Sequence, residues 1–316
     1  METLRLGQSD LTVSRIGHGG CPLGGHGWGD DSEKDLTEAL QASFGEGINL
    51  FDTADVYGLG VSEKRLGKVF KDRRSQVTLC SKFGVRIENG KTFYDNSPEW
   101  MERALNASLV RLQTDYIDLY QLHYWDETTS FETIFETLER FRDQGKIRYY
   151  GVTNVTRKQL TGIDSLPAAL VSCSFEYSLL QQKNKAVIQE LMNECSVGFI
   201  SWGSLSQGLL GGRFDGNTVI PKNDRRCRPI YVNFHGDRFQ ANLGFLEHMR
   251  KHFPAAPSLA QLSLRWILDR VPHSVALVGM KNKAQAKDNA ATLTWKLTGE
   301  ECEWLTDHSS ALAAGT

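Results

Sequence analysis

The chain has 316 residues, 40% hydrophobic and 23% charged, the balance of a soluble globular protein with enough length to bury a large core without disulfides or metal staples. Its 36 basic and 38 acidic residues give a formal charge of −2, which removes the electrostatic case for nucleic acid as the main partner. No apolar run approaches the roughly 18 to 20 residues that span a bilayer, and the opening Met1-Glu2-Thr3-Leu4-Arg5-Leu6-Gly7 lacks the apolar centre of a secretory signal.

In chain order, residues 3–6 and 11–13 flank a Gln8-Ser9-Asp10 turn and predict a hairpin that plugs a barrel mouth. Short β-rich runs, most of them continuously apolar, follow at 14–19, 48–52, 77–81, 116–123, 147–152, 169–174, 197–202 and 275–278. Amphipathic segments lie between them: 33–46 with Leu36, Ala39, Leu40 and Phe44 on one face, 98–112 with Met101, Leu105, Leu109 and Leu112, and 131–141 with Phe131, Ile134, Phe135, Leu138 and Phe141. Ser97 before Pro98 reads as a helix start, and Gly45, Gly47 and Gly145 as stops. Strands that are apolar on both faces belong in a parallel sheet covered by helices. Eight strand–helix units in a chain of this length predict a closed (β/α)8 barrel of the TIM type, as one domain over residues 1–316. The seventh strand departs from the pattern, since a glycine-rich basic segment, 203–236, replaces its helix and reads as a functional loop. The segment after Trp304 is short, and 311–316 reads as frayed.

The six cysteines (Cys21, Cys80, Cys173, Cys195, Cys227 and Cys302) are widely spaced, with no Cys-x-x-Cys pair and no zinc spacing. They predict free thiols in a reducing, cytoplasmic compartment and no metal site.

Barrel chemistry sits at the C-terminal ends of the strands. Those ends carry Asp52, with Tyr57 five residues on, then Lys82 and His123. Each alone has an ordinary explanation: a turn cap, a surface aromatic, a solvated lysine, a core histidine. Together they make a coherent set. A phenol with a pKa near 10 is a poor acid, an adjacent ammonium lowers that pKa, and a carboxylate keeps the ammonium charged and placed. The imidazole could orient a carbonyl oxygen on which negative charge grows, as in hydride addition.

The stretch Phe51-Asp52-Thr53-Ala54-Asp55-Val56-Tyr57-Gly58 with Ser62-Glu63-Lys64-Arg65-Leu66-Gly67 resembles the first signature of the aldo-keto reductases. Ser81-Lys82-Phe83-Gly84, the run from Arg111 to His123, and Gly145-Lys146-Ile147-Arg148 leading to Gly151-Val152-Thr153-Asn154 are similar too. The resemblance extends from the hairpin to about Asn289. It implies the barrel fold, an Asp52, Tyr57, Lys82 and His123 tetrad, and a dinucleotide bound extended across the C-terminal face.

No Gly-x-Gly-x-x-Gly follows a strand, and no Walker loop is present. The resemblance instead assigns cofactor contacts residue by residue. Thr153 and Asn154 hold the carboxamide, and Trp202 stacks on the nicotinamide in place of a tyrosine. Ser204, Leu205, Gln207, Gly208, Leu209 and Leu210 form the loop over the pyrophosphate, while Gly20 and Cys21 line the ribose. Lys281 and Lys283 meet the 2′-phosphate and Asn289 the adenine. Asn282, Gln285 and Ser174 depart from the family pattern. NADP(H) is therefore the expected cofactor, with NAD(H) as the alternative. The expected reaction is NADPH-dependent reduction of aldehydes or ketones with Tyr57 as general acid. The alternatives are a sugar or pyridoxal-type dehydrogenase using the same site, and a cofactor-binding regulatory subunit. Only about ten residues precede the hairpin and first strand, which counts against a partner-binding arm. Trp28, Phe83, Tyr94, Tyr124 and Trp125 are expected on loops around the mouth, with Trp28, Tyr124 and Trp125 as the substrate pocket. The partner is a small carbonyl or alcohol, and homo-oligomerisation stays open.

Overall fold

Each apolar run finds a neighbour in the order of the chain, and the last returns to the first. In a computed structural model describing residues 1–25, 27–29, 32–160 and 166–314, the last four of these by backbone only, a two-stranded hairpin comes first: β1 (Thr3–Arg5) and β2 (Thr12–Ser14). The barrel strands are β3 (Ile16–Gly19), β4 (Leu50–Asp52), β5 (Thr78–Phe83), and then, beyond a second hairpin of β6 (Val85–Glu88) and β7 (Lys91–Tyr94), β8 (Ile117–Leu122), β9 (Ile147–Thr153), β10 (Leu170–Glu176), β11 (Gly198–Trp202) and β12 (Ser274–Val278). All neighbours within the barrel are parallel, and β12 pairs with β3 to close it. The TIM-type architecture read from the sequence is the one observed.

The helices are α1 (Glu33–Gly45), α2 (Val61–Phe70), α3 (Pro98–Leu112), α4 (Phe131–Asp143), α5 (Lys185–Cys195), α6 (Gly236–His252), α7 (Leu259–Arg270), α8 (Lys283–Ala291) and α9 (Gly299–Ala314). Local chemistry starts several of them: Ser32, Ser97, Ser130, Ser258 and Asn282 each accept a hydrogen bond from a backbone N–H in the first turn. Their apolar faces bury Leu36, Leu40, Met101, Leu105, Ile134 and Phe141 against the outer wall of the strands.

The first hairpin closes the bottom. Leu4, Leu6, Leu11 and Val13 pack on Leu50, Leu119, Val171, Ile200, Val275 and Leu277, so the N-terminal mouth is filled with side chains. Each such fully buried leucine contributes about 1.5–3 kcal/mol.

Three expectations change. The run 14–19 is two elements: Ser14 ends the hairpin opposite Thr3, and the barrel strand begins at Ile16, because Arg15 turns the corner with its N–H on the Glu2 carbonyl (3.1 Å). Residues 203–236 are not structureless but carry short 3₁₀ turns at Ser206–Gly211, Arg225–Cys227 and Val232–Phe234. The chain end is helical through Ala314 rather than frayed from residue 311, and Trp304 stacks on His252 of α6 (4.1 Å).

Candidate active site

The βα connections at the C-terminal face bring the four candidate residues together. Asp52 ends β4, and Lys82, on the neighbouring β5, reaches across to it. The Lys82 ammonium is ion-paired with the Asp52 carboxylate and donates to the Thr53 carbonyl (2.9 Å). Its Nζ lies 5.3 Å from the centre of the Tyr57 ring. Tyr57 stands edge-on to the His123 imidazole, with ring centres 5.7 Å apart and planes at 84°. His123 follows β8, where its N–H donates to the Phe83 carbonyl (2.9 Å).

The electrostatics follow from burial. Asp52 and Lys82 are both almost wholly enclosed. Desolvation alone would lower the lysine, yet Asp52, Tyr57 and Cys80 together raise its pKa, so it stays an ammonium. Desolvation raises the Asp52 carboxyl, and Lys82 opposes it. Desolvation and the nearby Lys82 charge hold His123 well below its ordinary value, so the imidazole is neutral, and its Nδ1 is buried with no partner. The sequence expectation for Tyr57 needs correction. Burial raises the phenol pKa and outweighs the lowering by Lys82, because the half-buried ring sits among enclosed groups.

Beneath the four lies a buried polar layer that sequence reasoning missed. Glu63 is fully enclosed, accepting from Ser81 Oγ (2.6 Å) and from Arg111 Nε (2.5 Å). Gln121 accepts from Cys80 Sγ (3.3 Å) and donates to Ser172 and Ser174 Oγ (3.0 Å each). Ser174, a departure from the family pattern, is thus a partner of Gln121 inside the barrel. The signal for Glu63 was present in the quoted signature, but nothing local revealed its partners on β5 and α3.

The cofactor candidates divide. Thr153 Oγ1 and Trp202 Nε1 are buried with no partner at the ends of β9 and β11. Asn154 follows in the left-handed region (φ 60°), with its N–H on the Ser174 carbonyl (2.9 Å). Orphaned polar atoms on strand ends around the mouth fit a group rich in amide donors and acceptors, such as a nicotinamide carboxamide. The backbone at Gln207 and Gly208 is left-handed, and Gln207 Nε2 donates to Glu176 Oε1 (3.0 Å). Gly20 lies where a Cβ would strike the Asp52 carbonyl, and its own carbonyl accepts from Ser62 Oγ (2.8 Å). Cys21 is half-buried beside it, and burial raises its thiol pKa despite Arg225 nearby.

Several of the candidate side chains lie deeper in the fold than the sequence suggests. Ser204 Oγ turns inward to Ser201, and Leu209 and Leu210 are buried in the core, since a 3₁₀ turn tucks their apolar side chains under the loop. Leu205 also packs against the core. Phe83 is fully buried on β5, not on a loop. Trp125 lies against Phe131 (4.9 Å) with its indole N–H on the Thr129 carbonyl (2.8 Å), so it packs on α4 instead of the mouth. Trp28 and Tyr124 make ring contacts of their own. Trp28 meets Tyr231 edge-on (6.1 Å), Arg225 lies over its ring (5.6 Å), and Tyr124 stacks on His123 (5.0 Å). The Lys281 ammonium donates to the Trp28 carbonyl. Lys283 is exposed in the first turn of α8, and Asn289 is buried in the same helix. Asn282 caps that helix and Gln285 accepts from the Lys281 N–H (2.8 Å), so these two departures build the turn.

A closed parallel barrel with a charged lysine, a phenol and a neutral imidazole converging at its C-terminal mouth defines an oxidoreductase that acts on carbonyl and alcohol groups. Residues 15–310 match the aldo/keto reductase family, and the chain belongs to it. Aldo-keto reductase YhdN of Bacillus subtilis is 31% identical over 305 residues, covering 95% of this chain and 91% of that protein. The Schizosaccharomyces pombe protein named aldo-keto reductase yakc [NADP(+)] is 29% identical over 296 residues, 91% of this chain and 86% of its own. Among solved structures, the glycerol dehydrogenase AKR11B4 of Gluconobacter oxydans superposes with a TM-score of 0.88 at 28% identity, covering 98% of this chain and 95% of that one. The holo form of aldo-keto reductase AKR11C1 from Bacillus halodurans gives 0.76 at 30%, covering 99% and 96%. Among the described residues, no helix is long and apolar enough to cross a membrane, and no group of three or more His, Cys, Asp or Glu side chains could hold a metal ion.

Proposed function

We propose that this protein reduces aldehydes and ketones with NADPH, using Tyr57 as the proton donor. The observation that carries the reading is the Lys82 ammonium, fixed by Asp52 and the Thr53 carbonyl beside the Tyr57 ring. As negative charge grows on a carbonyl oxygen, the phenol gives its proton and the ammonium stabilises the phenolate left behind. The raised phenol pKa keeps the proton on Tyr57 until that moment. Neutral His123 supplies an N–H to hold the carbonyl oxygen in line, and its neutrality avoids a second cation beside Lys82.

A bound dihydronicotinamide would supply the hydride. Thr153 and Asn154 are the residues to hold its carboxamide, Trp202 to flank its ring, and the backbone around Gln207 and Gly208 to follow the pyrophosphate. The N-terminus of α8, with Lys283 and the adjoining Lys281, suits an added phosphate, which favours NADP(H) over NAD(H). The small carbonyl or alcohol partner follows from the same site, and the free cysteines support a cytoplasmic setting.

The test is NADPH consumption, by absorbance, with aromatic and aliphatic aldehydes for wild type and Tyr57→Phe side by side. Turnover in the wild type that Tyr57→Phe abolishes is the expected result. Equal turnover in both would overturn the assignment of the proton donor.

A further inference from the structure

The β6–β7 hairpin stands between the third barrel strand and α3, and its placement is fixed at its base. Gly84 enters it with φ +101°, a conformation other residues rarely adopt, and the Asp95 N–H closes the far end on the Gly84 carbonyl (3.2 Å). Fully buried Asn96 then joins the hairpin to the loop after β8. Its N–H donates to Asp126 Oδ2 (2.9 Å), its Oδ1 accepts from the Asp126 N–H (2.7 Å), and its Nδ2 donates to the Tyr124 carbonyl (3.2 Å). Two neighbouring βα connections therefore form one rigid rim segment.

That rim sets three rings in a row. The Tyr94 ring lies on Tyr124 with centres 5.0 Å apart and planes at 21°, and Tyr124 lies on His123 at 5.0 Å and 23°. The stack starts at an imidazole beside the proton donor and ends in Tyr94, which is 50% exposed. Register extends the surface outward. Tyr94 pairs with Val85 and Thr92 with Ile87, and alternate residues of a strand share a face, so Ile87, 40% exposed, continues the face of Tyr94. Phe93 belongs to the opposite face, together with Arg86, which lies over Trp100 (5.2 Å). Scattered exposed apolar residues need no explanation, but an apolar face continuous with catalytic rings does.

We propose that the Tyr94–Ile87 face is a subsite for the distal part of the substrate, so that the enzyme prefers carbonyl compounds carrying a flat aromatic or extended apolar body over short aliphatic ones. A planar group bonded to a carbonyl at His123 would leave the site along the Tyr124–Tyr94 stack, where ring-on-ring contact replaces contact with water. The inference rests on the carbonyl-reductase reading and adds a substrate class and two residues to it.

The experiment compares kcat/KM for 2-naphthaldehyde and propanal in the wild type, Tyr94→Ala, Tyr94→Phe and Phe93→Ala, together with the affinity of 2-naphthoate for the NADP+-loaded protein from tryptophan fluorescence. The naphthaldehyde-to-propanal ratio is expected to fall about tenfold in Tyr94→Ala, through KM and not kcat, to return in Tyr94→Phe, and to be unchanged in Phe93→Ala, which loses an equally exposed ring from the other face. An unchanged ratio in Tyr94→Ala, or an equal fall in Phe93→Ala, would overturn the subsite. A wild type that consumes no NADPH with either aldehyde would defeat the reductase reading instead. The naphthoate titration would then decide the subsite, upheld by about tenfold weaker binding in Tyr94→Ala and overturned by unchanged binding.

Discussion

Lys82 and Tyr57 sit 5.3 Å apart, measured from ammonium nitrogen to ring centre, with the lysine held from its far side by Asp52. In the proposed mechanism the cation would stabilise a phenolate formed only during the reaction, since burial raises the phenol pKa and keeps its proton in the resting protein. Tyr57→Phe is expected to lower kcat by about 10²- to 10⁴-fold, the range for a lost general acid. NADPH affinity, read by fluorescence titration, should change less than about threefold, because the phenol contributes a proton and not cofactor binding.

Breaking the Asp52–Lys82 pair should cost stability as well as activity. Both partners are enclosed, so Asp52→Asn leaves a buried ammonium uncompensated, at a cost of about 3–5 kcal/mol. The double variant Asp52→Asn, Lys82→Met is expected to regain much of that loss in chemical denaturation while turnover stays absent. A double variant no more stable than the single one would contradict this account.

Asp55 predicts a pH dependence of stability. Its Oδ1 is buried without a partner, and burial, with the nearby Glu63 charge, pushes the carboxyl from 3.8 up to about 8 against Arg111 and Lys82. Between those values the folded protein holds a proton that the unfolded chain releases. The contribution is therefore full below the lower value and is lost as pH rises through the upper one. The melting temperature of the wild type should carry a component that falls from about pH 5 to about pH 8, and Asp55→Asn should flatten it.

Cofactor choice is expected to turn on the start of α8. Lys283→Glu places an anion in the first turn of that helix, where an added phosphate would lie. NADPH affinity should fall about tenfold, with NADH affinity changed less than about twofold, in equilibrium titrations of the two cofactors.

Trp125→Leu offers a contrast with the mouth residues. The ring packs on Phe131 and its N–H on Thr129, so the variant should melt earlier, by about 1–3 kcal/mol of stability. The relative rates with different aldehydes should not change.

The sequence by itself determined the barrel. Its eight strand runs, most of them apolar throughout, can be buried on both faces only in a parallel sheet under helices, and the Ser97 cap and the turn at Gln8-Ser9-Asp10 are local signals that fold as they read. The candidate residues at the strand ends were legible for a related reason, since a position at the end of a barrel strand fixes the face on which a side chain works. What lay between distant segments was not legible. Whether Trp125 faces the mouth or Phe131, that Lys281 is engaged by the Trp28 carbonyl, and that Ser204 turns inward all depend on partners brought close only by folding. The net pKa of Tyr57 was misread for the same cause: desolvation is set by every atom that surrounds the ring, whereas sequence reading supplied only Lys82. The β6–β7 hairpin, exposed along the whole of β7 and at Ile87 and Glu88 of β6, had no core-facing period to announce it. Tertiary structure decided its place, because the buried Asn96–Asp126 exchange sets Tyr94 on Tyr124 and so extends the catalytic mouth.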